Sequence, residues 1–169
     1  MTLTIEEKQF LLQLARKTIE HYFDSGNKLK INAKGLSKSL TAKKGCFVTL
    51  NVHSALRGCI GHLLPVQELY KDVIENALYA AFEDPRFPAM VRKELEDVTI
   101  EISVLDVPKQ LNYKDDKDLL NKISKTKPGI IIKKGIQQAT YLPQVWDDLT
   151  NANDFLSSLC MKAGLSPTE

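Results

Sequence analysis

The chain has 169 residues, of which 43% are hydrophobic and 26% charged, and its formal net charge is +2. This length allows one domain with a sizeable core, and the composition is typical of a soluble globular protein. Three cysteines are too few for a disulfide framework, so we expect reduced thiols. No apolar run reaches the length of a membrane span, and the first residues show no signal-peptide pattern. We therefore expect a cytoplasmic protein that forms a single domain over residues 1–169.

Charge is distributed unevenly along the sequence. Residues 25–67 contain no Asp or Glu, whereas six lysines lie between residues 28 and 44. Such a block could attract an anionic ligand or a nucleic acid. Lysines that only keep a loop solvated are the simpler interpretation, because a dedicated nucleic-acid-binding domain is usually far more basic. Nucleic-acid binding through the lysine block 28–44 is therefore the weakest of the functional hypotheses.

The first half of the chain predicts a helix, a hairpin and a second helix. Thr4 and Glu7 have the spacing of a capping box, which marks the start of a helix. Two strand-like runs separated by a short turn are typical of a hairpin, and a proline before an amphipathic pattern is typical of a helix start. The expected elements are a helix from Thr4 to about Ser25, strands over 46–52 and 56–63, and a helix that opens at Pro65.

The second half predicts a strand, a helix, a second hairpin and a last helix. Residues 98–105 alternate between apolar and polar, as in a half-buried antiparallel strand. Gly164 is expected to be the left-handed cap of the last helix. The other expected elements are a helix over 116–125, strands over 129–132 and 137–142, and a helix over 153–163. Because short turns rather than helical crossovers join the strands, we predict an α+β fold with a mainly antiparallel sheet.

Residues 56–61, with the sequence Leu-Arg-Gly-Cys-Ile-Gly, carry the strongest signal for a site. Alternate residues of a strand face opposite sides, so Leu56 and Gly58 are expected to face the core. Arg57 and Cys59 would share the other face, about 7 Å apart along the backbone. A neighbouring cation favours the thiolate form of cysteine, and glycines let other backbone or a ligand approach closely. The alternative is that the glycines mark a bulge or tight packing and that Cys59 is a small buried residue.

Two later segments accompany this motif. They are Ala-Ala-Phe-Glu-Asp-Pro-Arg-Phe-Pro at residues 80–88 and Ala-Thr-Tyr-Leu-Pro-Gln-Val-Trp at residues 139–146. Together the three segments resemble the AMMECR family, in the order and spacing of that family, and the resemblance covers nearly the whole chain. The chain departs from the family pattern at Glu83, where a basic or polar residue is common, and at Ala89, where many members have a second proline.

The resemblance implies a fold and a biological context. The implied fold has two β/α repeats around one mainly antiparallel, barrel-like sheet, often described as two unequal lobes. The implied context is a genetic association in prokaryotes with Memo-like proteins and radical SAM proteins, the grouping called AmmeMemoRadiSam. We accordingly expect a Memo-like protein and a radical SAM protein as partners. The resemblance implies neither a settled reaction nor a cofactor.

A nucleophilic role for Cys59 would need a base and an orienting group. His53 and His62 are the nearby candidates for the base, and Glu83 or Asp84 could orient one of them. Strict alternation places His62 on the opposite side of the strand from Cys59, and His53 falls in the turn of the hairpin. Both placements weaken the hypothesis of a Cys–His dyad.

A zinc site is a further alternative. Cys59 and His62 have the two-residue gap found in half of many zinc sites, and His53 could be a third ligand. However, the sequence offers no second close pair of ligands beside them, and alternation separates the two side chains. We therefore expect no metal site here.

The arginines favour a binding site for an anion. Arg57 shares a face with Cys59, and Arg86 lies between two prolines after the second predicted helix. If both reach Cys59, the site suits a carboxylate or a phosphate, and Tyr141 could form one wall. The alternative for Arg86 is a structural contact with Asp84 or with a carbonyl group.

We interpret the sequence as a binding or adaptor domain that acts with a Memo-like or radical SAM protein. The alternative is an enzyme or modifying subunit that uses Cys59 as its nucleophile. The predicted site lies in a cleft, with Cys59 as the candidate catalytic residue and Arg57, Gly58, Gly61, Asp84, Arg86 and Tyr141 as binding residues.

Overall fold

The computed structural model describes residues 3–168, which contain five α-helices and five β-strands in an α+β arrangement. The chain folds into two compact units, Met1–Val107 and Pro108–Glu169, each with its own hydrophobic core. None of the helices in the described part of the chain is long and apolar enough to cross a membrane. The α+β class predicted from the sequence is confirmed.

The first unit places helices against a three-stranded antiparallel sheet. Its strand order is β2-β1-β3. Its elements are α1 (Ile5–Ser25), the short α2 (Lys38–Thr41), β1 (Cys46–Val52), β2 (Ala55–Gly61), α3 (Leu69–Phe82), a 3₁₀ turn (Arg92–Glu96) and β3 (Val98–Val104).

The core of this unit lies between the sheet and the helices α1 and α3. Its fully buried side chains include Leu11 and Ile19 of α1, Val48 and Leu50 of β1, and Leu69, Val73 and Ala77 of α3. Helix α1 starts as predicted, because the Thr4 hydroxyl accepts the Glu7 N–H at 3.2 Å and the Glu7 carboxylate accepts the Thr4 N–H at 2.8 Å. Gly26 closes the helix with φ 67°.

The hairpin of β1 and β2 contains a bulge that the sequence analysis did not place. Leu50 pairs with Gly58 whereas Asn51 pairs with Leu56, so Arg57 is the extra residue. Because paired residues share a face, Leu56 lies on the side of Asn51 and is exposed. The prediction that Leu56 faces the core is therefore wrong.

Strand β2 lies directly against the backbone of α3. A Cβ built on Gly58 would lie 2.0 Å from the carbonyl oxygen of Ala80. A Cβ on Gly61 would lie 2.3 Å from the carbonyl oxygen of Cys46 on β1. Both glycines of the motif are therefore explained by close approach of other backbone.

Helix α3 begins at Leu69, four residues later than the sequence predicted. Residues before it are held in an extended conformation, because Lys43 and Glu68 form a β-bridge and the Leu69 N–H donates to the Ala42 carbonyl at 2.9 Å. Pro65 is therefore outside the helix.

The second unit has two helices and a two-stranded antiparallel sheet. Its elements are α4 (Asp116–Thr126), β4 (Ile130–Lys134), β5 (Gln137–Tyr141), a 3₁₀ turn (Pro143–Asp147) and α5 (Ala152–Lys162). Trp146 stacks on Phe155 with their ring centroids 4.0 Å apart, and Ile123 and Leu159 are buried in the same core. Gly164 has φ 76°, as predicted for the residue that ends the last helix.

The described strands do not form one barrel-like sheet, so that expectation is wrong. Strands β4 and β5 pair with each other in a separate two-stranded sheet. The reason is that each hairpin buries its apolar side chains in the core of its own unit. The single domain over 1–169 and the two unequal lobes implied by the resemblance stay predictions.

We expect Gly58→Ala to destabilise the protein by about 3 kcal/mol, the upper end of the cost of overpacking, since the new methyl group meets backbone rather than a flexible side chain. Urea unfolding followed by circular dichroism measures this change. Gly35→Ala is the control, because Gly35 has φ 92° and open space around it, so its cost of about 1 kcal/mol reflects the backbone conformation alone. Equal losses in the two variants would contradict the packing explanation.

Candidate functional site

The segment that follows α3 holds the backbone of Cys59 on both sides. The Cys59 N–H donates to Asp84 Oδ2 at 2.9 Å, and Arg86 Nη2 donates to the Cys59 carbonyl oxygen at 3.1 Å. Arg86 also binds Asp84 through two side-chain hydrogen bonds, of 2.9 Å to Oδ1 and 2.7 Å to Oδ2. Asp84, Arg86 and Cys59 therefore form one connected group, which brings together three of the residues that the sequence analysis selected.

The Asp84 carboxylate is ionised and almost completely buried. Hydrogen bonds from the Arg86 guanidinium, and then from the N–H groups of Cys59 and Arg86, hold the pKa of Asp84 well below its usual range, although burial opposes them. The Asp84 carboxylate in turn raises the pKa of Arg86, to which Cys59 also contributes. The structural contact proposed for Arg86 is thus present, and 53% of its side chain remains exposed.

Arg57 is bound to a carboxylate that the sequence analysis did not identify. Its Nε and Nη2 donate to Glu94 at 2.5 and 3.1 Å, and Nη2 also donates to the Pro88 carbonyl at 2.9 Å. Hydrogen bonds from Arg57 lower the pKa of Glu94. The guanidinium that bonds the backbone of Cys59 is therefore that of Arg86, while Arg57 anchors the segment after α3 to the 3₁₀ turn.

An aromatic ring connects the two arginines. Phe87 lies 6.0 Å from the Arg57 guanidinium carbon and 5.5 Å from that of Arg86, measured to the ring centroid. These distances are in the range of cation–π contacts. The contacts fix the segment against β2.

The Cys59 thiol faces β1. The Thr49 hydroxyl, on the residue paired with Cys59, donates to Cys59 Sγ at 3.2 Å. Cys59 is half-buried, whereas Cys46 and Cys160 are buried. Burial, together with the charge of Asp72, raises the pKa of the Cys46 thiol. Cys59 is thus the least buried of the three cysteines.

The two histidines near the motif have other partners. His62 Nδ1 lies 2.7 Å from Asp72 Oδ1, on the α3 side of the sheet. His53 is exposed in the turn, 3.8 Å from Asp97. The placement of His62 away from Cys59, which alternation predicted, is confirmed. A Cys–His dyad therefore gains no support from the geometry.

Asp72 is the polar residue that the sequence analysis missed. It is 0% exposed and lies on the apolar face of α3. Its Oδ2 accepts from the Cys46 N–H at 3.1 Å and from Asn76 Nδ2 at 3.1 Å, and its Oδ1 accepts from Gln67 Nε2 at 3.2 Å. The sequence did carry a signal for this site, because Asp72 and Asn76 are two polar residues at i, i+4 spacing within an otherwise apolar helix face.

Tyr141 belongs to the second unit. Its hydroxyl lies 2.8 Å from Ser158 Oγ, and its ring packs edge-on against Phe155 with centroids 5.3 Å apart. The side chain is thus part of the packing of that unit. Its binding role stays a prediction.

The first unit contains a cavity of about 580 Å³, away from the motif. It lies between α1 and β3, and its lining includes Leu11, Ile100, Ile102 and Lys44. None of the residues 56–61 lines it. The cleft expected around Cys59 therefore stays a prediction.

Part of the lysine block is neutralised within the first unit. Lys28 forms an ion pair with Glu75 at 2.9 Å, and Lys44 lies 4.0 Å from Asp106. Nucleic-acid binding by residues 28–44 stays a prediction.

We expect iodoacetamide to alkylate Cys59 at least about tenfold faster than Cys46 or Cys160, since a buried thiol reacts only after local opening. Site-resolved mass spectrometry of the folded protein measures the three rates. In urea the rates should converge, and Cys59→Ser should remove the fast reaction. Equal rates for the three cysteines in the folded protein would contradict this prediction.

We expect Asp84→Asn to destabilise the protein at pH 7 by about 1–3 kcal/mol, because the buried N–H and guanidinium donors lose a charged acceptor. The folded-state pKa of Asp84 is below the unfolded value, so its contribution is present above about pH 4 and is lost as the pH falls further. Urea unfolding between pH 3 and 7 should show a weaker acid dependence in the variant. Asp24→Asn, which removes an exposed partner of Arg92, is the control. An unchanged acid dependence in Asp84→Asn would contradict this assignment.

Comparison with known proteins identifies the family. The AMMECR1 family model matches residues 12–169. Protein MK0488 of Methanopyrus kandleri is 43% identical, over 98% of this chain and 81% of that protein. The crystal structure of uncharacterized protein PH0010 from Pyrococcus horikoshii superposes with a TM-score of 0.88 at 36% identity, covering 98% of this chain and 83% of that one. The chain therefore belongs to the AMMECR1 family.

Proposed function

We propose that the chain is a binding or adaptor domain that acts with a Memo-like protein, a radical SAM protein, or both. The observation that carries this proposal is that the two arginines and the histidine nearest to the motif are each bound to a carboxylate within the first unit. Arg57 is paired with Glu94 and Arg86 with Asp84, and His62 is bound to Asp72. Groups that are fixed in this way shape a rigid recognition surface, whereas a nucleophilic cysteine needs a base directed at it.

The segment 84–89 supplies the exposed part of this surface. Pro85, Arg86, Pro88 and Ala89 are exposed, while Asp84 below them is buried. Arg86 lies in a segment with two prolines, and its guanidinium is fixed by three hydrogen bonds to Asp84 and Cys59, so little conformational entropy is lost when it binds a partner. Its exposed edge suits a carboxylate or phosphate group of the ligand or partner.

Co-purification from cells tests this proposal. The tagged chain is co-expressed with the Memo-like and radical SAM proteins of its own organism, and we expect at least one of them to be retained in stoichiometric amount. Arg86→Gln should reduce retention about tenfold, the effect of losing about 1.4 kcal/mol of a charged contact.

The matched control is Arg92→Gln. Arg92 is also half exposed, at 56% of its side chain, and is also paired with an aspartate, Asp24. Circular dichroism checks that both variants are folded. Absence of both partners with the wild-type chain, or equal losses in the two variants, would overturn the proposal.

The enzyme hypothesis remains the second candidate, because Cys59 is the least buried of the three cysteines and its sulfur receives a hydrogen bond from Thr49. Cys59→Ser separates the two hypotheses. An adaptor should retain its partner with this variant, since serine preserves the backbone contacts to Asp84 and Arg86. A loss of partner-dependent product formation with unchanged retention would favour the enzyme.

A further inference from the structure

A second polar cluster lies on the other side of the motif strand, between the end of β2 and α3. One nitrogen of His62 and one oxygen each of Asp72 and Glu75 all lie within 4.8 Å of one another. His62 follows β2 directly, and Asp72 and Glu75 are three residues apart on α3, so they lie on the same side of that helix. The three side chains thus converge from two elements that the core holds together.

The charges in this cluster favour a cation between the two carboxylates. Asp72 is fully buried, and its partners are the donors of Cys46, Asn76, Gln67 and His62 rather than a lysine or arginine. A buried carboxylate next to a second one is costly unless positive charge is close. Lys28 binds Glu75 at the exposed side, at 2.9 Å.

A donor group already lies between the carboxylates. Gln67 Nε2 donates to Asp72 Oδ1 at 3.2 Å and to Glu75 Oε2 at 2.7 Å. This amide nitrogen lies where positive charge is stabilised by both oxygens. If an ion takes this place, the amide nitrogen must leave it, and rotation of the Gln67 side chain would then turn its carbonyl oxygen toward the ion as a further ligand atom.

Asn76 adds an unsatisfied polar atom. Its Oδ1 is buried and has no hydrogen-bond partner, while its Nδ2 lies 3.1 Å from Asp72 Oδ2 and 3.4 Å from His62 Nδ1. Unsatisfied buried oxygens are rare, and the atom of this amide that contacts the cluster is Nδ2 rather than Oδ1. The side chain belongs to the cluster, because its amide contacts two of the three ligand residues.

Cys46 is not a ligand in this arrangement. It is fully buried, and its thiol donates to Asp72 Oδ2 at 3.2 Å. Its sulfur is not among the ligand atoms that lie within 4.8 Å of one another, which come from His62, Asp72 and Glu75. The donor set is therefore one imidazole and two carboxylates.

We propose that His62, Asp72 and Glu75 bind a divalent first-row transition metal ion, with Gln67 as an additional oxygen ligand. Mixed imidazole and carboxylate donors suit zinc, iron or manganese better than magnesium or calcium, which prefer oxygen alone. His62 and Glu75 retain partly exposed side chains, at 33% and 26%, which gives the ion a path to the buried Asp72.

Titration of the protein with Co²⁺ tests this proposal, because its absorption spectrum reports the ligand type. We expect saturable binding of one ion and an absorption spectrum typical of Co²⁺ bound by nitrogen and oxygen atoms. The Tm of the protein should rise with Co²⁺ concentration. His62→Ala and Glu75→Gln should each weaken binding at least about tenfold, since each removes a ligand. Gln67→Lys should abolish binding, because its ammonium group would occupy the place of the ion.

The matched control is Glu68→Gln. Glu68 is also on the α3 side, has a 30% exposed side chain, and is paired with Lys71 rather than with the cluster. Glu75, Gln67 and Glu68 are all partly exposed, so these variants are expected to fold, which circular dichroism verifies. Absence of saturable binding, or wild-type binding by Glu75→Gln, would overturn the proposal. A thiolate-to-cobalt band that Cys59→Ser removes would overturn it as well, since the ion would then be bound at the motif cysteine.

Discussion

The close approach of β2 to α3 at Gly58 is the constraint on which the arrangement of the first unit depends. Because Gly58 has no side chain, the backbone of β2 lies directly against the carbonyl group of Ala80. Ala80 is in the last turn of α3, so this approach determines where the segment after the helix lies. Asp84 then reaches the backbone of Cys59, and Arg57 reaches Pro88 and Glu94. The positions of Asp84 and Arg57 relative to their partners therefore depend on this one backbone contact.

Local sequence signals predicted most of the secondary structure, and the differences have identifiable causes. The capping box of α1 and the alternation of β3 depend on neighbouring residues, and both predictions were confirmed. The start of α3 depends on a bridge to Lys43, far away in the sequence, which overrides the helix-starting preference of Pro65. The barrel-like sheet came from the resemblance and not from the residues, and the described strands form two sheets instead.

The candidate site shows what a single sequence cannot supply. The sequence analysis placed Arg57, Cys59 and the 84–87 segment in one hypothesis, and the structure brings their backbone and side chains together. Strict alternation could not foresee the bulge at Arg57, because a bulge adds a residue to one strand only. Glu94, the partner of Arg57, lies 37 residues further along the chain, and only tertiary packing pairs them. The sequence analysis did not select Asp72, because it lies among the apolar residues of α3.

Strand β2 is at the edge of its sheet, and the backbone N–H and carbonyl groups of Cys59 already have partners. The N–H of Cys59 donates to Asp84 and its carbonyl oxygen accepts from Arg86, so neither group can pair with a strand from another molecule. Unprotected edge strands are starting points for aggregation and for strand exchange between chains. The ion pair of Asp84 and Arg86 therefore blocks strand pairing with another chain at Cys59. A protein that docks on this edge must contact it there through side chains rather than by adding a strand to the sheet.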